Sequence, residues 1–197
     1  MRSQAEFDKS YYDRFYRNPS TRAATKAEAE RCADFVWAYL KHLDLPVSRI
    51  ADVGCGLGHM LRRLLRKFPG ATGEGYEFSE YLCEKYGWTK RSILELQTDR
   101  RFDLVVCNDV VQYLPDREAS TAMHNLFNLT DCVLFFSVLT REDWEDVADR
   151  DRTDDKVYLR PAAWYRRRLK KEFWALGGGL YLRQDAGYAL WHLDRAD

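Results

Sequence analysis

A run of closely spaced glycines, Asp52-Val53-Gly54-Cys55-Gly56-Leu57-Gly58, is the segment of this 197-residue chain best suited to chemistry. Glycines in a turn between a strand and a helix let backbone approach a ligand closely, and the helix start then offers N–H groups to a polar or anionic partner. In such layouts an acidic residue about 20 positions further on takes ribose hydroxyls. Glu77 stands there, 77 − 54 = 23 positions after Gly54, at the end of Thr72-Gly73-Glu74-Gly75-Tyr76-Glu77. Glu74 is its rival, but falls mid-strand, so the ribose position is expected at Glu77. Dinucleotide loops run Gly-x-Gly-x-x-Gly. Here the third glycine is Gly58 and residue 59 is His, a spacing that disfavours NAD. Asp52 puts a carboxylate beside the loop, which a pyrophosphate would resist and a cationic amino-acid group would welcome.

The elements that must hold these residues can be read from hydrophobic period and turn signals. Residues 49–53 read as a strand entering the loop. Residues 59–68 read as a helix with Leu61, Leu64, Leu65 and Phe68 on one face, stopped by Pro69-Gly70. A strand over 71–76, a helix over 79–86 ended by Gly87, and a weak third strand at 88–90 follow. The apolar run 102–107, a helix over 115–129 and a strand over 131–138 complete the alternation. Before it, residues 21–43 carry Ala29, Ala33, Val36, Leu40 and Leu43 at helical spacing, and Leu45-Pro46 ends the helix. After it, a helix is expected over 161–173, with Ala162, Tyr165, Leu169 and Phe173 inward. A hairpin pairing 180–183 with 188–193 around Gln184-Asp185-Ala186-Gly187 is expected to close the chain. Strands alternating with helices imply an α/β fold, a parallel sheet covered on both faces.

Composition narrows the function class. Hydrophobic residues make up 46% and charged residues 31%, a globular balance rather than a disordered one. Lys plus Arg equals Asp plus Glu at 31 each, which argues against a dedicated nucleic-acid binder. The five cysteines Cys32, Cys55, Cys83, Cys107 and Cys132 form no CxxC pair and do not cluster with the four histidines, so thiols in a reducing compartment are expected and no metal site. No apolar leader opens the chain, and the longest apolar run, at 132–136, is far below the ~20 residues of a membrane span. A cytoplasmic location with no membrane partner is the expectation.

Three blocks together resemble the class I S-adenosylmethionine-dependent methyltransferases. They are Ile50-Ala51-Asp52-Val53-Gly54-Cys55-Gly56-Leu57-Gly58, Gly75-Tyr76-Glu77-Phe78-Ser79, and the stretch from Phe102 through Asn108-Asp109-Val110-Val111-Gln112-Tyr113 to Asp116. The resemblance implies a Rossmann-like, doubly wound, mostly parallel sheet of about seven strands ending in an antiparallel C-terminal hairpin. It implies one domain over 1–197, with a helical cap at 1–45, a cofactor-binding core at 49–140, and a substrate-side loop, helix and hairpin at 140–197. It further implies that Gly54, Gly56 and the backbone near Cys55 hold the methionine part of S-adenosylmethionine, with Gly58 also among the cofactor-binding residues and Asp52 orienting the loop. Glu77 would bind the ribose, Phe78 and Ile93 would flank the adenine, and Asn108 would face the methionine end. Ser92 stands where relatives usually have Asp for the adenine amine, and would serve through its hydroxyl. Gln112 replaces the His or Glu of many relatives.

Methyl transfer from a sulfonium is an in-line displacement in which alignment does most of the work, and a base is needed only if the nucleophile must lose a proton. The sequence shows no dedicated base; Tyr113, Asp109 and His124 are the candidates. Asn108-Asp109-Val110-Val111 lacks the Pro-Pro-aromatic block of base-amine methyltransferases, and no Pro-Cys nucleophile is present, so the expected acceptor is a small molecule methylated on O or N. A cofactor- or partner-binding protein without turnover is the alternative. The aromatic cluster Tyr11-Tyr12-Phe15-Tyr16 reads either as packing or as a lid. The charged segment 140–158 reads as a substrate loop or simply an exposed one, and Arg166-Arg167-Arg168 as a solvated helix face.

Overall fold

The apolar strand expected at residues 102–107 lies at the centre of the sheet. In the computed structural model, which describes residues 6–196, seven strands are ordered β3-β2-β1-β4-β5-β7-β6. Residues 1–5 of the expected cap, and Asp197, lie outside the described residues. The elements are α1 (Lys9–Tyr12, continued by a wider turn at Asp13–Arg17), α2 (Lys26–His42), β1 (Arg49–Val53), α3 (His59–Lys67), β2 (Thr72–Glu77), α4 (Glu80–Tyr86) and β3 (Thr89–Lys90). Then follow β4 (Phe102–Asn108), α5 (Asp116–Leu129), β5 (Thr130–Ser137), α6 (Arg141–Asp146), α7 (Ala162–Leu169), β6 (Phe173–Gly177) and β7 (Leu180–Arg183).

Strands β1 to β5 pair in parallel, and β7 runs antiparallel between β5 and β6. Alternate residues of the parallel strands face opposite layers, as the two-residue period requires. Ala51, Val105, Cys107 and Leu134 pack with Met123 and Leu126 of α5 and Leu169 of α7. Ile50, Leu104, Val106 and Val133 pack with Val36 and Leu40 of α2 and Leu61 and Leu64 of α3. Burying side chains on both faces of β4 is why its inner residues, Leu104-Val105-Val106-Cys107, are apolar without a break. The chain leaves β1 toward β2 and β3 on one side and returns at β4 on the other. The carboxyl ends of β1 and β4 therefore flank the point where strand order reverses, the usual crevice for a ligand in an open α/β sheet.

The C-terminal expectation needs correction. Helix α7 stops at Leu169, so Phe173 is a strand residue rather than a fourth helical contact. The hairpin is β6 with β7, joined through Gly177, Gly178 and Gly179, and residues 188–193 form no strand. All three glycines have positive φ (85°, 57° and 83°), and a Cβ at Gly178 would lie 2.6 Å from the Phe35 ring. Only glycine takes that path cheaply, which makes the triple-glycine turn the stronger signal.

Candidate active site

The glycine loop leaves β1 with Gly54 N–H donating to Tyr76 O at 2.8 Å, which ties it to the end of β2. Gly54, Gly56 and Gly58 all have positive φ. At Gly54 a Cβ would collide with Val110 at 2.3 Å, and at Gly58 with the Trp88 ring at 2.3 Å, whereas nothing lies within 4 Å of one at Gly56. The first and third glycines thus let the loop pack, and the middle one faces open cleft. Trp88 supports the loop from the β3 side, its Nε1–H donating to Gly56 O at 3.0 Å.

Glu77 closes the same cleft from β2. Its Oε2 accepts from Gly56 N–H at 2.8 Å, and its Oε1 accepts from Phe78 N–H at 2.7 Å and Ser79 N–H at 2.9 Å. A carboxylate has about four acceptor directions, so Oε2 is the freer oxygen. Burial raises the Glu77 pKa, and the three N–H donors oppose the rise. Its rival Glu74 is exposed and accepts from the Tyr76 hydroxyl at 2.6 Å, away from the glycine loop. Asp52 is buried beneath the loop, and burial followed by the nearby Glu77 charge pushes its carboxyl up to about 7.

Three cavities adjoin along the carboxyl edge of the sheet. One is walled by Gly54, Gly56, Glu77, Phe78, Ser92, Ile93 and Asn108. A second, over the glycine loop, is lined by Asp52, Cys55, Gly58, His59 and α2 residues. A third, about 410 Å³, opens toward the segment after β5 and is lined by Gln112, Tyr113, Val138 and Asp154 among others. Tyr16 and Asp109 line all three. The structure therefore gathers every expected cofactor residue along one continuous cleft. Ser92 caps the short turn Ile93–Glu95, its Oγ accepting from Leu94 N–H at 3.2 Å, and Asn125 of α5 fixes that turn by donating to Ile93 O at 2.9 Å.

Of the three candidate bases, two belong to the cleft and one does not. Asp109 sits just past β4 with φ 58°, a left-handed conformation that Asp tolerates better than most residues. Its carboxylate, exposed at the strand end, accepts from Asn108 Nδ2 at 3.1 Å and from Gln112 Nε2 at 3.4 Å. The Tyr113 hydroxyl meets that of Tyr11 at 2.9 Å. His124 is exposed on α5 beside Asn128, lining a separate groove with Gln97 and Thr98. The helix period turns it away from the sheet edge, so it cannot serve as a base there.

The N-terminal aromatic segment roofs this cleft. Phe7, Tyr11, Tyr12 and Tyr16 line its walls, Phe7 meets the rings of Tyr113 and Phe78 edge-on, and Ser79 Oγ donates to Phe7 O at 2.5 Å. Packing and covering are therefore one arrangement. Sequence reading missed Arg160. Its guanidinium is buried and donates to Asp116 at 2.8 Å, the Tyr165 hydroxyl at 3.2 Å and the carbonyls of Val111 and Leu114, pinning the turn that carries Gln112 and Tyr113.

Residues 14–177 match the family model described as a methyltransferase domain. The chain belongs to that family. A trans-aconitate 2-methyltransferase of Deinococcus radiodurans is 33% identical over 79 residues, 36% of this chain, and the match spans 30% of that relative's length. Magnesium protoporphyrin IX methyltransferase from Synechocystis PCC 6803, solved with bound SAM, shares the fold at TM-score 0.65 and 18% identity over 92% of this chain and 95% of its own. An O-methyltransferase family protein from Burkholderia thailandensis does so at TM-score 0.59 and 15% identity over 82% of this chain and 59% of its own. In this methyltransferase domain the open space at Gly56, the inward carboxylate of Glu77 and the apolar slot at Phe78 and Ile93 fit an adenosyl group beside a polar, cationic tail.

Proposed function

We propose that this domain binds S-adenosylmethionine in the cleft between the glycine loop and Glu77 and transfers its methyl group to a small molecule held in the cavity beyond Asp109. When bound, the cofactor supplies an activated methyl group on sulfur. The chain's own residues do the rest. Glu77 receives the ribose, Phe78 and Ile93 flank the base, Ser92 contributes its hydroxyl at the base edge, and Asn108 and the loop backbone hold the amino-acid end. Tyr16 and the roof exclude water, which raises the effective concentration of two correctly placed reactants.

The observation that carries this reading is the bond from Gly56 N–H to Glu77 Oε2. It brings the two sequence-distant halves of a nucleoside site together where the strand order reverses. The free state of all five cysteines accords with a cytoplasmic setting, and no helix among the described residues is long and apolar enough to cross a membrane. Calorimetry tests the reading: S-adenosylhomocysteine is expected to bind with micromolar affinity, roughly −8 kcal/mol, and NAD not at all. Binding of NAD alone would overturn it. Labelled methyl transfer to a metabolite mixture then separates an enzyme from a binding protein.

A further inference from the structure

Most polar groups on the wall of the cavity beyond Asp109 are engaged by the protein itself. Asp109 accepts from Asn108 and Gln112, Asp143 from Thr140, and Asp154 from Lys156 N–H, while the Tyr11 and Tyr113 hydroxyls meet each other. Gln112 and Tyr16 differ. Gln112 is only 4% exposed, and its Nε2 donates to Asp109. A carboxylate can only accept, so this bond fixes which way the amide is turned. Oε1 is then held as an acceptor beside Asp109, and it has no hydrogen-bond partner among the described residues. The backbone behind it is pinned, Gln112 O accepting from Tyr158 N–H at 2.7 Å. Tyr16 leans its ring on Tyr11 and Tyr12, with centroids 6.3 Å and 5.4 Å away, and its hydroxyl makes no hydrogen bond to another described residue. Buried acceptors without donors are costly, and buried tyrosine hydroxyls usually find a partner.

Tyr16 also stands where the cavities meet. It lines the cofactor cavity, the space over the glycine loop and the cavity beyond Asp109. The wide turn Asp13–Arg17 carries it, with Asn18 N–H reaching back to Asp13 O at 2.8 Å. Turns of this width are rare and recur at functional sites. Much of the remaining wall is apolar, with Phe15, Val138, Leu139, Ala148 and Val157. A protonated tyrosine hydroxyl donates and the Gln112 oxygen accepts, so the two together fit a ligand atom that carries both a hydrogen and lone pairs.

We propose that Tyr16 and Gln112 select the methyl acceptor by clamping one hydroxyl group of an otherwise apolar molecule. This rests on the reading of the domain as an S-adenosylmethionine-dependent methyltransferase. The hydroxyl gives its hydrogen to Gln112 Oε1 and accepts from the Tyr16 hydroxyl with one lone pair, which leaves its second lone pair for the methyl group. A carboxylate or an ether brings no hydrogen to Gln112 and leaves Oε1 unpaired. In the transfer the second lone pair forms the O–C bond while the S–C bond breaks and leaves its electron pair on sulfur. An amide cannot take the proton, so the hydroxyl proton passes to the Asp109 carboxylate beside Gln112, which is exposed and releases it to water. The products are a methyl ether, S-adenosylhomocysteine and that proton.

The test uses the full chain saturated with S-adenosylhomocysteine and titrated calorimetrically with para-ethylphenol, against para-ethylanisole and para-ethylbenzoate. The phenol is expected to bind, the ether about tenfold more weakly, and the carboxylate not at all. Gln112→Met is expected to bring the phenol down to the level of the ether, within about twofold, while S-adenosylhomocysteine affinity stays within about threefold. A merely structural role for Gln112 would instead weaken both probes alike. Tyr16→Phe is expected to weaken phenol and ether by a common factor, because both oxygens accept from Tyr16. If Gln112→Met does not fold, as judged by circular dichroism, the phenol-to-ether ratio of the wild type and the Tyr16→Phe result decide. Equal binding of phenol and ether by the wild type, preference for the carboxylate, absence of phenol binding, or full discrimination retained in folded Gln112→Met overturns the hydroxyl clamp with cofactor binding intact. A wild-type chain that binds no S-adenosylhomocysteine overturns the underlying methyltransferase reading instead.

Discussion

Glu77 and Asp52 are two buried carboxylates at one strand-order reversal, and their surroundings give them different work. Glu77 accepts three backbone N–H groups and faces the cleft; Glu77→Ala is expected to weaken S-adenosylhomocysteine binding by ~1–3 kcal/mol through lost ribose hydrogen bonds, measured by calorimetry. Unchanged affinity would move the ribose contact elsewhere. Asp52 lies beneath the loop with its pKa pushed up to about 7 from 3.8, so the ligand-free folded chain holds that proton more tightly than the unfolded chain. The sign follows from linkage. The contribution is fully present below about pH 4 and is lost as pH rises toward 7, a loss on the order of 4 kcal/mol at most. Asp52→Asn is expected to flatten this dependence, seen as urea midpoints at pH 5 and pH 8 lying closer together than in the wild type. The glycine spacing and Glu77 were legible in the sequence because both answer local backbone requirements.

Among the elements, the turn between β4 and α5 depends most on a distant residue. Arg160 reaches back from the segment before α7 to the carbonyls of Val111 and Leu114, so Gln112 and Tyr113 keep their places through a side chain more than 45 positions away. Arg160→Met leaves those carbonyls and the Tyr165 hydroxyl without this donor. It is expected to destabilise the chain by about 2–4 kcal/mol in urea unfolding. It should also weaken acceptor binding more than cofactor binding, because the glycine loop and Glu77 are held independently. The C-terminal hairpin shows where element reading failed. Gln184-Asp185-Ala186-Gly187 has turn chemistry, but the reversal that makes the hairpin lies earlier, at three consecutive glycines with positive φ, and residues 188–193 form no strand; only Ala196 returns to the sheet, bridging Ala175 of β6.

At the scale of the whole molecule, one sheet edge, the N-terminal roof and the segment after β5 enclose a single cleft. A ligand that binds only this assembled form stabilises it by mass action. At a hundredfold excess over its dissociation constant, S-adenosylhomocysteine is expected to contribute about 2.7 kcal/mol and to raise the melting temperature by about 5–10 °C, read by differential scanning fluorimetry. NAD at the same concentration is expected to leave it unchanged. Because Phe7, Tyr11 and Tyr16 wall the cleft, the shift is expected to shrink in Tyr11→Ala, which also removes the bond to the Tyr113 hydroxyl.

The sequence by itself determined the alternation of strands and helices, the glycine loop and the position of Glu77 at the end of β2, because each is written in neighbouring residues: the period of apolar side chains, and glycines where φ must be positive. It also placed Asp109 and Tyr113 just past the fourth strand, without saying what they face. Only the tertiary structure decided that His124 turns away, that Phe7 and Tyr11 cover the cleft, that Arg160 and Asn125 brace its walls, and that Asp109, Asp143 and Asp154 share one cavity. These are contacts between residues far apart in the chain, and no local pattern encodes them. The cavity beyond Asp109 draws its walls from separate segments, so it exists only once the fold brings those segments to one edge of the sheet.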